Sequence, residues 1–245
     1  MKDLREFPVN ISKNSLRTGG PGTTPRCDHC STRGRCLLAV LPSPQHEHFR
    51  SLVRERSVAV GETVEKQGAH GQVLGVVKVG LLKGLRRGPG GDGKTIMLAG
   101  KGRLIGFTQP FGQPALLSLL AITPTRICEL PVQAVNDMAM PQSQFQQALY
   151  RITADFLGCM ADWSRLLRED SYLAKVCAAL HLIAAEEGHH AFRIPSHTEL
   201  ASVLGTRRET VARHIAILIE RGLLRKVDRW HGVLITPDCS LVWER

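Results

Sequence analysis

From about Val58 to Val135 the chain runs in short apolar stretches separated by glycine-bearing turns, among them Gly61, Gly68, Gly80, Gly88-Pro89-Gly90-Gly91 and Gly106. Many short strands at turn-separated spacing predict a β-sandwich or barrel. The period then changes. Phe145, Leu149, Ile152, Phe156, Cys159, Trp163 and Leu166 recur at alternating steps of four and three, which is a heptad seam. Such a seam packs either on the β domain or on its copy in a second chain. The expectation is a parallel homodimer, with Leu149, Ile152, Phe156, Cys159 and Trp163 at the interface. Gly158 within it costs about 1 kcal/mol of helix propensity but permits close helix approach. Ahead of the strands, residues 43–56 read as a short amphipathic helix with Phe49, Leu52 and Val53 on its apolar face.

Residues 171–187 carry another helical stripe: Leu173, Val176, Cys177, Leu180 and Ile183. Ser196 and Glu199 then stand at capping-box spacing and open a short helix through Leu204. Gly205 makes a turn, and a second helix runs from about Thr206 to Arg221. Gly222 occupies the place of a left-handed cap. Leu223–Lys226 and Val233–Thr236 bracket a polar turn and read as a hairpin. Helix, tight turn, helix and hairpin make a winged helix-turn-helix. The second helix keeps Val211, Ile215 and Leu218 inward and offers Arg208, Glu209 and Arg213 outward. Arg donates two parallel hydrogen bonds to guanine and Glu accepts from cytosine, so these residues suit major-groove reading. For Glu209, a capping box with Thr206 or an i,i+4 pair with Arg213 is the competing role.

Composition adds limits. With 245 residues there is room for two cored domains. No apolar run reaches membrane-spanning length, and the first residues lack a secretory signal, so a cytoplasmic location is expected. The net charge of +10 permits an anionic partner. It is not concentrated near the helix-turn-helix: residues 171–245 carry ten Lys and Arg against eight Asp and Glu. No nucleophile–base motif or phosphate-cradling loop stands out, so an enzyme is not expected.

Seven cysteines, an odd number, fit reduced thiols better than a disulfide framework. Three of them, Cys27, Cys30 and Cys36, follow C-x2-C-x5-C, and Cys128 lies in a strand-like run far downstream. Four thiolates close either a structural zinc site or an iron–sulfur site. Arg26, Arg33 and Arg35 would favour the thiolate form. Cys159, Cys177 and Cys239 occupy apolar or terminal positions and read as packing residues.

Leu204-Gly205-x-x-Arg208-Glu209-Thr210-Val211-x-Arg213 resembles the recognition helix of the CRP/FNR superfamily of bacterial transcription regulators. Val60-Gly61-Glu62-Thr63, Gln67-Gly68, Leu98-Ala99-Gly100 and Leu104-Ile105-Gly106 resemble turns of that superfamily's cyclic-nucleotide-binding-type β-roll. The likeness spans residues 27–237. It implies an α+β protein: a flexible segment 1–26, a cysteine-bearing β-roll 27–140, a dimerisation helix 141–170 and a winged helix-turn-helix 171–245. In the cyclic-AMP branch a Glu follows the Ile-Gly turn and an Arg-Ser pair holds the phosphate. Here Phe107 follows Gly106, and residues 114–118 lack the pair.

The cysteine pattern resembles the FNR branch. The resemblance implies that Cys27, Cys30, Cys36 and Cys128 ligate an oxygen-labile [4Fe–4S] cluster controlling dimerisation and promoter binding. A nitric-oxide or haem sensor of the same superfamily, or a zinc-stabilised adaptor, are the alternatives. The implied partners are RNA polymerase and double-stranded DNA carrying an inverted repeat. In the FNR branch the position of Arg208 is apolar and half-sites are TTGAT-like. Arg208 with Glu209 and Arg213 resembles the cyclic-AMP branch, whose half-sites are TGTGA-like.

Overall fold

In the computed structural model, which describes residues 27, 30–37, 43–139, 143–188 and 191–235, the strand-rich stretch forms two antiparallel four-stranded sheets. After helix α1 (Ser43–Leu52) come β1 (Arg54–Val58), β2 (Thr63–Glu65), β3 (Val73–Val79), β4 (Leu82–Arg87), β5 (Gly93–Ala99), β6 (Leu104–Ile105), β7 (Ser118–Ala121) and β8 (Thr125–Pro131). One sheet has the order β1-β8-β3-β6 and the other β2-β7-β4-β5. Between them, Val77, Leu82, Met97 and Ile127 are buried. Strand alternation does this work: in β8, Ile127 points into the core while Cys128 and Leu130 point to the sheet's outer face.

That outer face has its own small core. Leu37, Phe49, Val53, Leu74, Val76, Leu104, Leu130, Val135 and Leu149 meet there. Helix α1 supplies Phe49 and ends at Leu52, not at residue 56, because β1 begins at Arg54. The strand region also ends early. Val132–Ala139 is a helix, α2, and Val132 and Val135 sit one turn apart on its buried side.

Helices α3 (Ser143–Leu167), α4 (Tyr172–Glu187), α5 (His197–Leu204) and α6 (Arg208–Glu220) follow. Ser171 caps α4, its hydroxyl accepting from the Ala174 N–H, and Gly188 closes it at φ 67°. The hairpin β10 (Leu224–Lys226) and β11 (His231–Leu234) gains a third strand, β9 (Ala191–Arg193), which the sequence pattern did not reveal. The main core continues without a break from the roll through α3 and α4 into α5 and α6. Residues 1–26, His189-His190, Thr236 and Cys239 lie outside the described residues.

The heptad seam of α3 faces the protomer's own cores. Leu149, Cys159, Trp163 and Leu166 are buried inside the single protomer, and Ile152 and Phe156 are half-buried against its two cores. The 4-3 period is present, but the residues assigned to a dimer interface already have apolar partners on the roll and α4. Roughly 1.5–3 kcal/mol per large buried side chain favours that packing without any mate. The opposite face is the open one. Tyr150 is 69% and Leu157 62% exposed, with exposed Ala154, Gly158 and Ala161 beside them. Tyr150, Ala154, Leu157 and Ala161 repeat the 4-3-4 spacing, and a Cβ on Gly158 would meet nothing.

Candidate sensor and nucleic-acid interface

Helix α6 begins at Arg208 because Arg207, in an extended conformation, is its N-cap. No side chain caps it, so the Thr206–Glu209 capping box does not form. Val211, Ile215 and Leu218 are buried against α4 and α5. Arg208, Glu209 and Arg213 therefore fall on the exposed face, as the periodicity predicts. Helix α5 is anchored differently. Its N-cap Ser196 accepts from the Glu199 N–H at 3.1 Å. The Glu199 carboxylate turns to Lys83 Nζ at 3.5 Å. Lys83, on β4 of the roll, is buried and also donates to Ser202 Oγ at 3.0 Å.

The cysteine segment lies over the outer face of the β1-β8-β3-β6 sheet. Thr32 is buried and its hydroxyl donates to the Lys78 carbonyl at 3.0 Å. Cys36 and Cys128 pack against the same small core. Cys128 pairs with Glu55 on one side and Val76 on the other. Burial pushes its thiol up to about 12; Lys78 pulls it down, and Glu55, Cys36 and Cys30 push it further up. Cys30 and Cys36 are thus electrostatic neighbours of Cys128. Cys27 lies in the same segment, its carbonyl accepting from the Cys30 N–H at 3.2 Å. None of the six described cysteines is in a disulfide. Among the described residues, no group of three or more Cys, His, Asp or Glu converges to hold a metal ion. Ligation by all four thiols requires segment 27–36 to close further onto β8.

Two lysines act on these thiols, Lys78 on Cys128 and Lys101 on Cys30, and Arg26 lies outside the described residues. Lys78 stands beside Cys128 and forms a 2.6 Å ion pair with Glu55. Lys101 is held below the usual lysine range by burial and by Arg35, while Cys30 and Glu187 oppose the shift. Arg35 instead spans to the DNA-reading half, its guanidinium donating to the Ala185 carbonyl at 3.0 Å.

That crossing belongs to a larger junction. Glu186, on α4, is a buried acid. Its carboxylate accepts from the Gly100 N–H at 2.8 Å and from Arg103 Nε at 3.0 Å. Cys159 Sγ of α3 stands 3.7 Å from it. Arg103 also donates to the Asp155 carbonyl at 2.9 Å. Burial alone would lower the Arg103 pKa, but the Glu186 carboxylate more than offsets this and raises it. The loop between β5 and β6 must come very near. A Cβ on Gly100 would lie 2.6 Å from the Glu186 Cβ, and one on Gly102 would overlap Arg35. Roll, cysteine segment, α3 and α4 therefore meet at one point, and no sequence spacing announces it.

Residues 55–142 match the cyclic nucleotide-binding domain family, and residues 174–239 match the Crp-like helix-turn-helix domain family. The chain belongs to the CRP/FNR family. A probable transcriptional activator from Rhizobium leguminosarum bv. viciae is 26% identical over 223 residues, 89% of this chain and 91% of the relative. The transcriptional activator protein FnrA from Stutzerimonas stutzeri is 25% identical over 205 residues, 81% and 84% of the two chains. The structure of FixK2 from Bradyrhizobium japonicum superposes with a TM-score of 0.65 at 20% identity, covering 76% of this chain and 93% of that one. At that identity the superposition establishes the fold. This CRP/FNR protein is a DNA-binding transcription regulator, not an enzyme, and regulators of its family dimerise. No helix among the described residues is long and apolar enough to cross a membrane.

For a CRP/FNR regulator the interior of the roll is informative. The space bounded by Glu65, Leu104, Phe107, Leu117 and Phe156 is a cavity of about 10 Å³, room for about one water. Ligand pockets run to about 300 Å³ and more. Phe107, the residue standing in place of the expected Glu, packs on Phe156 of α3 with ring centroids 4.7 Å apart. Burial raises the pKa of Glu65, opposed by hydrogen bonds from Gly106 and Gln109. Side chains from the roll and α3 line this small space.

Proposed function

We propose that this regulator senses oxygen or redox state through a [4Fe–4S] cluster held by Cys27, Cys30, Cys36 and Cys128. The observation that carries this is that Cys36 and Cys128 pack on one small core at the outer face of the roll, with Cys27 and Cys30 in the same segment as Cys36. The donor set fits the group: thiols only, outside disulfides, with Lys78 and Lys101 beside them to offset thiolate charge. A bound cluster supplies lability toward oxygen at the protein surface. The chain's own residues carry the consequence. Arg35 holds the cysteine segment to the end of α4, and Arg103 and Glu186 fix α4 to the roll and to α3. The position of segment 30–36 is thereby linked to both the DNA-reading half and the dimerisation helix, and the coupling is reciprocal.

The exposed stripe Tyr150, Ala154, Leu157 and Ala161 pairs with its mate across the two-fold axis. Arg208, Glu209 and Arg213 read the major groove. The bound sequence is an inverted repeat with a G-T-G-A core, half-sites about one helical turn apart, and RNA polymerase is the further partner. Cysteine replacement under anaerobic conditions tests the sensor. Cys27→Ala, Cys30→Ala, Cys36→Ala and Cys128→Ala should each lose the iron, whereas Cys177→Ala and Cys239→Ala keep it. Equal iron content in all six variants would overturn the assignment.

A further inference from the structure

Lys83 is a buried cation that neither the cysteine site nor the recognition helix explains. It lies on β4 between Leu82, which is buried in the roll, and Gly84, where a Cβ would meet Met97 and Leu117 inside it. Alternation therefore turns Lys83 to the outer face of its sheet, in register with Leu98 of β5 and Leu120 of β7. Helix α5 covers it there. Lys83 Nζ donates to Ser202 Oγ at 3.0 Å and pairs with Glu199 Oε2 at 3.5 Å. The Lys83 side chain is 7% exposed and that of Glu199 30%. An ammonium taken out of water is costly unless it is paired and hydrogen-bonded. A well-packed apolar residue of similar volume would hold the two surfaces together at least as firmly. What the bridge adds is direction. Apolar contact is non-directional, whereas bonds to two groups one turn apart on α5 fix where that helix sits.

Helix α5 in turn sets the direction of α6. Gly205, at φ 63°, closes α5, and the Thr206 N–H donates to the Ala201 carbonyl at 3.0 Å. Leu200 and Val203 of α5 share one core with Val211 and Ile215 of α6. The DNA-reading half is thus tied to the roll at two separate places. Glu186 of α4 meets Gly100 and Arg103, and Glu199 and Ser202 of α5 meet Lys83. One anchor leaves a pivot, and the second restricts it. In this docked arrangement Arg208, Glu209 and Arg213 are exposed or half-exposed on α6, and Tyr150 and Leu157 are exposed on α3.

We propose that Lys83 is a positioning residue for DNA recognition: by holding α5 on β4 it sets the separation of the two α6 helices in the dimer, and so restricts the regulator to one half-site spacing. The proposal rests on the reading of α6 as the groove-entering helix and of the exposed face of α3 as the two-fold contact. A two-fold dimer places both recognition helices in register only on half-sites whose separation matches its own. Two added base pairs shift one half-site by about 7 Å along the duplex and about 70° around it. A dimer whose α6 direction is fixed cannot follow that shift. One whose α5 is loose on the roll can.

The test uses the full chain, prepared anaerobically, and duplexes carrying the inverted repeat selected from a random pool. The spacer is kept, shortened or lengthened by one or two base pairs, and a single half-site is included. Affinities are read by fluorescence anisotropy. With two added base pairs the parent should lose about tenfold or more in affinity, the loss of at least one bidentate base contact. Lys83→Met keeps the length of the side chain without its charge. It should retain the parent's melting midpoint and single-half-site affinity, and lose at most about threefold over the same change of spacer. Glu199→Gln removes the charge partner from the other side of the interface and should flatten the spacing profile likewise. A folded Lys83→Met with the parent's spacing profile overturns the proposal. So does loss of single-half-site binding in that variant, which assigns Lys83 to the fold of the helix-turn-helix and not to its direction. A parent indifferent to spacing overturns the proposal together with the dimer reading, whereas a discriminating parent matched by Lys83→Met overturns the proposal alone.

Discussion

Replacing Glu186 with Ala removes the one carboxylate on which the roll, α3 and α4 converge. The lost bonds are those from the Gly100 N–H at 2.8 Å and from the Arg103 guanidinium at 3.0 Å. Breaking a buried ion pair by deleting one partner costs about 3–5 kcal/mol, because the other charge stays behind unpaired. Arg103 keeps the Asp155 carbonyl and is itself 19% exposed, so the lower end applies, about 3 kcal/mol. At roughly 2–4 °C per kcal/mol for a chain of this size, the melting midpoint should fall about 6–12 °C. Glu186→Gln keeps an acceptor for the Gly100 N–H and should fall about half as far. A double-mutant cycle with Arg103→Met, followed by circular dichroism, isolates the pair. A Glu186→Ala midpoint within about 2 °C of the parent would refute the junction.

Three other outcomes follow from the same structure. Leu157→Glu should yield monomers by light scattering with little loss of protomer stability, whereas Trp163→Ala should cost about 3–5 kcal/mol by emptying a fully buried site; dimeric Leu157→Glu would show that the exposed stripe of α3 has no mate. Arg208→Val should lower discrimination at the outer guanine of the half-site by about 1–3 kcal/mol in a binding-site selection and leave the inner positions unaltered. Cys159 is raised to about 12 by burial first, then by Glu186, against the ordinary value of 9.0. Its folded pKa lies above its unfolded one, so its contribution is intact below pH 9 and lost as pH rises toward 12. Cys159→Ala should flatten alkaline unfolding in that window, and identical profiles for variant and parent would count against the burial.

Where interactions are local, the chain announces them. Ser196 at capping distance from Glu199, Gly222 beyond α6 and the 3.6-period of Val211, Ile215 and Leu218 each marked an observed feature. The alternation in β8 likewise places Cys128 on a different face from Ile127. Helix α3 shows the limit. Two apolar faces, one through Leu149 and Trp163 and one through Tyr150 and Leu157, share the same 4-3 period. Periodicity reports that a face is apolar and not which neighbour covers it. Leu149, Trp163 and Leu166 went to the protomer core, while Tyr150, Ala154, Leu157, Gly158 and Ala161 stayed outside. The Arg103–Glu186 pair was illegible for another reason: 83 residues separate its partners, and no local propensity links them. Strand β9 is three residues long and escapes any pattern window.

What the four thiols hold decides how this regulator senses its signal. Iron, acid-labile sulfide and zinc should be measured on full-length protein purified without oxygen, with the visible spectrum recorded before and after air. The account predicts about four iron and four sulfide per chain and a broad visible band that bleaches in air. DNA affinity should change as the band is lost, and Cys128→Ala should show neither the band nor the change. One zinc per chain with an air-stable, colourless protein would contradict it.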